Sequence, residues 1–123
     1  MANILVVDDN PDLTEVQKLV LTSAGHTVTT ARDGHEALQF VRTQPFNLVV
    51  TDIVMPGGDG IEMIMELHRT LPSLRIIATS GGGNMDAEGY LEVAQKLGAT
   101  KTMVKPFSGI ELIAAVTEML ERK

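Results

Sequence analysis

Asn47-Leu48-Val49-Val50-Thr51-Asp52 is the stretch of sequence that decides the fold. Short apolar runs rich in β-branched residues are typical of strands buried inside a sheet. Residues 53–60, Ile-Val-Met-Pro-Gly-Gly-Asp-Gly, contain the proline and glycines that interrupt regular structure. Asp52 is therefore predicted to end a buried strand, and we expect its carboxylate at the edge of the sheet.

Similar runs occur on both sides of this strand and alternate with helix-like segments. The other predicted strands cover 4–7, 27–30, 75–80 and 101–104. Asn10-Pro11-Asp12 has the residues of a helix start, and Ser108 with Glu111 forms a capping box. Five strands alternating with five helices predict an α/β domain whose mostly parallel sheet is covered by helices on both faces.

Apolar residues at helical spacing predict the side of each helix that packs against the sheet. The predicted inward residues are Leu13, Val16 and Val20 in the first helix, Ala37, Leu38 and Val41 in the second, Ile61, Ile64, Met65 and His68 or Leu71 in the third, Leu91, Ala94 and Leu97 in the fourth, and Leu112, Val116 and Leu120 in the fifth.

Length and composition restrict the partners that this chain can have. The 123 residues fit one domain, residues 1–123. A formal net charge of −6 and an aromatic content of 3% argue against binding to nucleic acid. The chain has no cysteine and no apolar run near the roughly 18 residues of a membrane span. We therefore expect a cytoplasmic protein that binds other proteins and neither membrane nor nucleic acid.

Reactive side chains are concentrated at the carboxyl ends of the predicted strands. They are Asp8 and Asp9 after the first strand, Asp52 in the third, Thr79 and Ser80 in the fourth, and Lys105 after the fifth. In an open parallel sheet these ends share one edge, where ligands bind. Three neighbouring carboxylates repel one another unless they hold a proton or a cation, and ligands that are all oxygen favour Mg²⁺.

A carboxylate beside Mg²⁺ is a suitable acceptor for a phosphoryl group, because the ion offsets the charge that develops in the transfer. Asp52 would then become an aspartyl phosphate. The Lys105 ammonium and the Ser80 hydroxyl would supply a positive charge and a hydrogen-bond donor to the phosphoryl oxygens.

Four motifs in this order resemble the receiver domain of bacterial two-component response regulators, over essentially the whole chain. They are Val-Val-Asp-Asp-Asn at 6–10, Leu-Val-Val-Thr-Asp-Ile-Val-Met-Pro at 48–56 with Asp59-Gly60, Ile-Ala-Thr-Ser-Gly at 77–81, and Val-Lys-Pro-Phe at 104–107. The resemblance implies a doubly wound, CheY-like sheet with strand order 2-1-3-4-5. It also implies that the bond before Pro106 is cis.

The resemblance further implies how the site works. Asp52 would take phosphate from the phosphohistidine of a histidine kinase or of a phosphotransfer protein in a phosphorelay. Mg²⁺ would be held by Asp9, Asp52 and the backbone carbonyl of Val54, with Asp8 reaching it through water. The face formed by helix 4, strand 5 and helix 5 is the family's usual surface for a downstream protein.

Ser80 and Thr102 occupy two positions that matter for switching in the family that the chain resembles. We assign the fourth-strand hydroxyl to Ser80 because the family motif has a small residue next, and Gly81 meets that requirement. The family's fifth-strand aromatic falls on Thr102, so the aromatic half of the usual switch does not carry over. We hypothesise that the loop from Gly81 and the next helix, through Tyr90, report phosphorylation instead.

The predicted function is a phosphorylation switch that promotes its own phosphorylation and dephosphorylation but is not a metabolic enzyme. Three alternatives remain. Asp8 and Asp9 could simply favour the start of a helix. The chain could be a binding module that takes no phosphate. It could also be a small aspartate-based phosphatase, although such an enzyme would need an acid at position 54, which is valine.

Overall fold

The computed structural model describes residues 2–53, 59–81 and 87–121, without the side chains at positions 59, 87, 88, 90 and 91. Strands and helices alternate through these residues as predicted. The elements are β1 (Asn3–Val7), α1 (Pro11–Ser23), β2 (Thr27–Ala31), α2 (Gly34–Thr43), β3 (Leu48–Asp52), α3 (Asp59–Thr70), β4 (Arg75–Ser80), α4 (Ala87–Leu97), β5 (Lys101–Val104) and α5 (Gly109–Glu121).

The strands form one parallel sheet in the order β2-β1-β3-β4-β5, which confirms the predicted order. β3 is central and pairs with β1 on one side and β4 on the other. The register sets Val7 beside Thr51 and Asp52 beside Thr79. Because the strands are parallel, their carboxyl ends lie along one edge, with Asp52 in its middle.

Both faces of the sheet are buried, as the continuous apolar strands predicted. Successive residues of β3 point to opposite faces, so Val49 and Val50 belong to different clusters. Val49 packs with Leu5, Ile76, Met63, Ile64, Leu67 and Ala94 on the side of α2, α3 and α4. Val50 packs with Ile4, Ile77, Leu21, Leu112 and Val116 on the side of α1 and α5.

The predicted inward face of α1 is wrong at Val16, which is 55% exposed. The buried residues of this helix are Thr14, Gln17 and Leu21, while Leu13 and Val20 are half-buried. Two of the three buried positions are polar, so a pattern built on apolar residues alone displaced the predicted stripe toward Val16. The polar residues escape such a count although their side chains are covered.

The predicted face of α3 needs a similar correction. Ile64 is buried as expected, but its buried companions are Met63 and Leu67. Met65 and Leu71 are 49% and 41% exposed. Met63, Ile64 and Leu67 lie one and three residues apart and share one side of the helix, which turns Met65 away from the sheet.

Two predicted helix starts are confirmed. Asn10 caps α1, where its side chain accepts hydrogen bonds from the backbone N–H groups of Asp12 and Leu13 at 3.0 and 3.3 Å. At α5 the capping box is complete: the Glu111 N–H donates to the Ser108 hydroxyl at 3.1 Å, and the Ser108 N–H donates to the Glu111 carboxylate at 3.2 Å. No helix in the described ranges combines the length and apolar content that crossing a membrane requires.

Candidate functional site

Three carboxylates meet at the carboxyl edge of the sheet. Asp8 directly follows β1, Asp9 is the next residue, and Asp52 ends β3. One oxygen from each lies within 4.8 Å of the others. Asp8 and Asp52 are 3% and 6% exposed, whereas Asp9 is open to solvent. The structure thus brings together the acids that the strand ends predicted, and among the described residues they form the one such group of His, Asp and Glu.

Asp8 is fixed by its own backbone and by its neighbour. Its N–H donates to the carbonyl of Ala31 at 3.1 Å, which ties the end of β1 to β2. Its Oδ1 accepts a hydrogen bond from the backbone N–H of Asn10 at 3.0 Å. Asn10 therefore caps α1 with its side chain and orients the Asp8 carboxylate with its backbone N–H group. The sequence predicts the first role but not the second, because a hydrogen bond from a backbone N–H group does not depend on the residue type.

Lys105 joins two of the acids. Its Nζ lies 2.7 Å from Oδ2 of Asp8 and 3.3 Å from Oδ2 of Asp52. Burial disfavours the Lys105 ammonium, but the hydrogen bond to Asp8 and the negative charge of Asp52 outweigh burial and raise the pKa above its ordinary value. The lysine therefore remains charged. The bond between Lys105 and Pro106 is cis, as the resemblance implied.

Ser80 ends β4 and is buried, at 1% exposure. Its carbonyl accepts a hydrogen bond from the Lys105 N–H at 2.8 Å, so the serine and the lysine are adjacent in the fold. Its hydroxyl donates to the carbonyl of Gly81 at 3.5 Å, a long contact. The hydroxyl of Thr79 instead donates back to the carbonyl of Thr51, between the two central strands. Of the two hydroxyls, Ser80 is the one at the outer end of the strand.

The donor set fits a hard divalent cation. Three carboxylates against one ammonium leave an excess of two negative charges in the cluster. Carboxylate oxygens without sulfur or imidazole are the ligands of Mg²⁺ or Ca²⁺. Both oxygens of Asp8 already accept hydrogen bonds, from Asn10 and Lys105, which suits a contact to the ion through water. Val54, the other predicted ligand, lies outside the described residues.

A cavity of about 370 Å³ adjoins Asp8 and Asp9 and opens toward β2 and α2. It is lined by Asp8, Asp9, Pro11, Thr14, Thr30, Ala31, Arg32 and Glu36. Asp8 and Asp9 therefore face this cavity, whereas Asp52 is not part of its lining. Arg32 was not among the predicted site residues; it pairs with Glu36 at 3.7 Å and is largely exposed.

The hypothesis about signal output falls partly outside the described residues. The loop at 82–86 and the side chain of Tyr90 lie there. Thr102 is described: it is half-buried in β5 and pairs with Ala78 of β4. Thr102, at the position where the family has an aromatic residue, therefore places a small polar side chain in β5.

Known proteins share both this sequence pattern and this fold. The chain is 36% identical over 122 residues to a "Transcriptional regulatory protein CpxR homolog" from Haemophilus influenzae, covering 99% of this chain and 52% of that protein. It superposes on the receiver domain of a Francisella response regulator with a TM-score of 0.86 and 30% identity, covering 99% of this chain and 98% of that one. For the receiver domain of NtrX from Brucella abortus the TM-score is 0.90 with 32% identity, over 98% and 99% of the two chains.

The fold and the acid cluster define a CheY-like α/β domain. The family model for the response regulator receiver domain matches residues 4–117, and the chain belongs to that family. It spans about half the length of the curated relatives that it matches, for example 50% of CpxR from Escherichia coli K12, to which it is 34% identical.

Proposed function

We propose that this receiver domain is a phosphorylation-dependent switch in which Asp52 accepts the phosphoryl group. The observation that carries the proposal is the position of Lys105, whose ammonium bridges the buried carboxylates of Asp8 and Asp52. An ammonium held there offers its N–H groups to an anion attached to Asp52. A carboxylate that served only to start a helix would not need this partner.

The proposed reaction transfers a phosphoryl group from a histidine nitrogen of the donor to a carboxylate oxygen of Asp52. A carboxylate oxygen of Asp52 attacks the phosphorus of a phosphohistidine, the P–O bond forms, and the P–N bond breaks. The imidazole leaves with the electron pair of that bond and takes a proton. The donor would be a histidine kinase or a phosphotransfer protein. Lys105 and the Ser80 hydroxyl would then bind oxygens of the new phosphoryl group.

Asp9 and Asp52 would hold Mg²⁺ directly and Asp8 would hold it through water, with the Val54 carbonyl as the further ligand that the family resemblance implies. The ion would supply positive charge against the phosphoryl oxygens as negative charge develops there. The exposure of Asp9, compared with the burial of the other two acids, would give the ion a path from solvent.

We further propose that phosphorylation changes the affinity for a downstream protein at the face of α4, β5 and α5. Val93 and Val104 are 47% and 48% exposed on these elements, and Lys101 of β5 pairs with Glu118 of α5 at 3.1 Å. The net charge of −6 favours a protein over nucleic acid as the direct partner of this domain. The domain would act in the cytoplasm and would not turn over small metabolites.

The test is the intact mass of the protein after treatment with acetyl phosphate and Mg²⁺. We expect the wild type to gain the mass of one phosphoryl group, and neither Asp52→Asn nor a sample with excess chelator to gain it. If the wild type binds Mg²⁺ but gains no mass, the protein is a binding module that takes no phosphate. Sustained hydrolysis of small phosphoesters would instead support the phosphatase alternative.

A further inference from the structure

Gly60, the second residue of α3, lies against the backbone of the residue that follows Asp52. A Cβ atom added to Gly60 would lie 2.5 Å from the carbonyl oxygen of Ile53 and 2.7 Å from its carbonyl carbon, and closer still to its Cα. These are backbone atoms, and no side-chain rotation can move them away. The start of α3 can therefore occupy this position only with glycine at residue 60.

Ile53 is held on its other sides as well. Its N–H donates to the carbonyl of Thr79 at 3.0 Å, which fixes it to β4. Its side chain is 3% exposed and packs in the cluster that contains Met63, Ile64 and Leu67. A side chain on Gly60 must therefore displace either α3 or Ile53. Displacement of Ile53 would move Asp52, to which it is bonded.

We propose that Gly60 is a positioning residue for the cation site: by letting α3 contact the Ile53 backbone, it fixes the chain that leaves Asp52. This inference rests on the proposed Mg²⁺ site. It assigns to α3, whose described side chains supply no carboxylate to the cluster, a part in the affinity for the ion. Displacing groups that orient a metal ligand typically weakens metal binding about 10- to 100-fold.

Gly98 provides the matched control. Its φ is +136°, and a Cβ there would lie 2.6 Å from Cβ of His68 and 2.7 Å from its Cγ. Alanine at this position is therefore strained and crowded, as it is at Gly60. Gly98 follows the end of α4, near the edge of the sheet at which β5 begins, and the acids lie at the opposite edge. Gly98→Ala should destabilise the fold without changing the cation site.

The experiment measures the Mg²⁺ dissociation constant by calorimetry for wild type, Gly60→Ala and Gly98→Ala, together with the unfolding midpoint of each. We expect both variants to unfold at lower denaturant concentration, but only Gly60→Ala to bind Mg²⁺ about tenfold more weakly. Equal Mg²⁺ affinity in wild type and Gly60→Ala would overturn this inference and leave the proposed function intact. If the wild type fails to bind Mg²⁺, the proposed cation site is refuted, and the inference falls with it.

Should Gly60→Ala fail to fold, amide spectra of the wild type decide the question. Saturation with Mg²⁺ should shift the resonances of Ile53 and Gly60 together and leave that of Gly98 in place. If the resonance of Ile53 moves while that of Gly60 stays, α3 is not coupled to the site and the inference is wrong.

Discussion

Lys105 is the residue on which the charge balance of the site depends. It is the one cation that the structure places in contact with the clustered carboxylates among the described residues. Its location could be predicted, because β5 ends just before it and parallel strands share an edge. Its shorter contact with Asp8 than with Asp52 could not be predicted, since that difference depends on side-chain geometry in the folded state.

Replacing Lys105 by glutamine should have opposite effects on stability and on Mg²⁺ affinity. Without Mg²⁺, two buried carboxylates lose their shared ion partner, and we expect the free energy of unfolding to fall by about 1–3 kcal/mol. With Mg²⁺, a competing positive charge has gone, so the ion should bind more tightly. Denaturant unfolding and calorimetric titration measure the two quantities.

Lys101→Gln is the control for that prediction. Lys101 also forms an ion pair, with Glu118. Both of these side chains are substantially exposed, at 30% and 48%. Its removal should cost less than about 1 kcal/mol and leave Mg²⁺ affinity unchanged. If both lysine variants behave alike, the Lys105 ion pairs are no more important than a surface contact.

At the scale of elements, the strands were easier to predict than the faces of the helices. The bounds of β4 and β5 are those expected, because each strand is a short apolar or β-branched run between turn residues. The face of α1 was misjudged because Thr14 and Gln17 occupy buried positions. Any side chain that points toward the sheet becomes buried, whether it is polar or apolar. Residue type alone therefore does not reveal a buried polar side chain.

The capping box of α5 yields a quantitative prediction. Ser108→Ala removes the hydroxyl that accepts the Glu111 N–H, and it should lower the free energy of unfolding by about 0.5–2 kcal/mol. Ser23→Ala is the comparison, since the Ser23 hydroxyl only donates back to the carbonyl of Val20 within α1. Denaturant midpoints of the two variants should differ clearly; equal midpoints would show that the capping box contributes nothing.

At the scale of the whole molecule, the sequence alone predicted the succession of strands and helices along the chain. It also predicted the edge of the sheet at which the candidate site lies. Both follow from the alternation of strands and helices and from the parallel arrangement. The contact between Gly60 and Ile53 could not be predicted, because residue spacing does not reveal how closely a helix approaches a strand end. The candidate site residues could be predicted from their places at the strand ends. The backbone contacts that hold these residues in place could not.

Mg²⁺ should stabilise the entire domain, because at the proposed site the ion would bind a cluster that is assembled only in the folded chain. At a free concentration of about 100 times the dissociation constant, the expected gain is about 2.7 kcal/mol. Asp9→Asn should abolish this gain. It should not destabilise the metal-free protein, because it removes one of three mutually repelling charges, and an exposed one.

Thermal unfolding with and without Mg²⁺ measures both effects. Glu15→Gln, which removes an exposed acid of α1 that is not a member of the cluster, is the control and should respond to Mg²⁺ as the wild type does. If Asp9→Asn keeps the full response to Mg²⁺, the ion is not bound at these carboxylates.

The most direct measurement is to locate the acyl phosphate by reductive trapping. The wild type is treated with phosphodonor and Mg²⁺, reduced with borohydride, digested and sequenced by mass spectrometry. Reduction converts a phosphorylated aspartate to homoserine. We predict homoserine at position 52 and unchanged aspartate at positions 8 and 9. Homoserine at 8 or 9, or at none of the three, would contradict Asp52 as the phosphate acceptor.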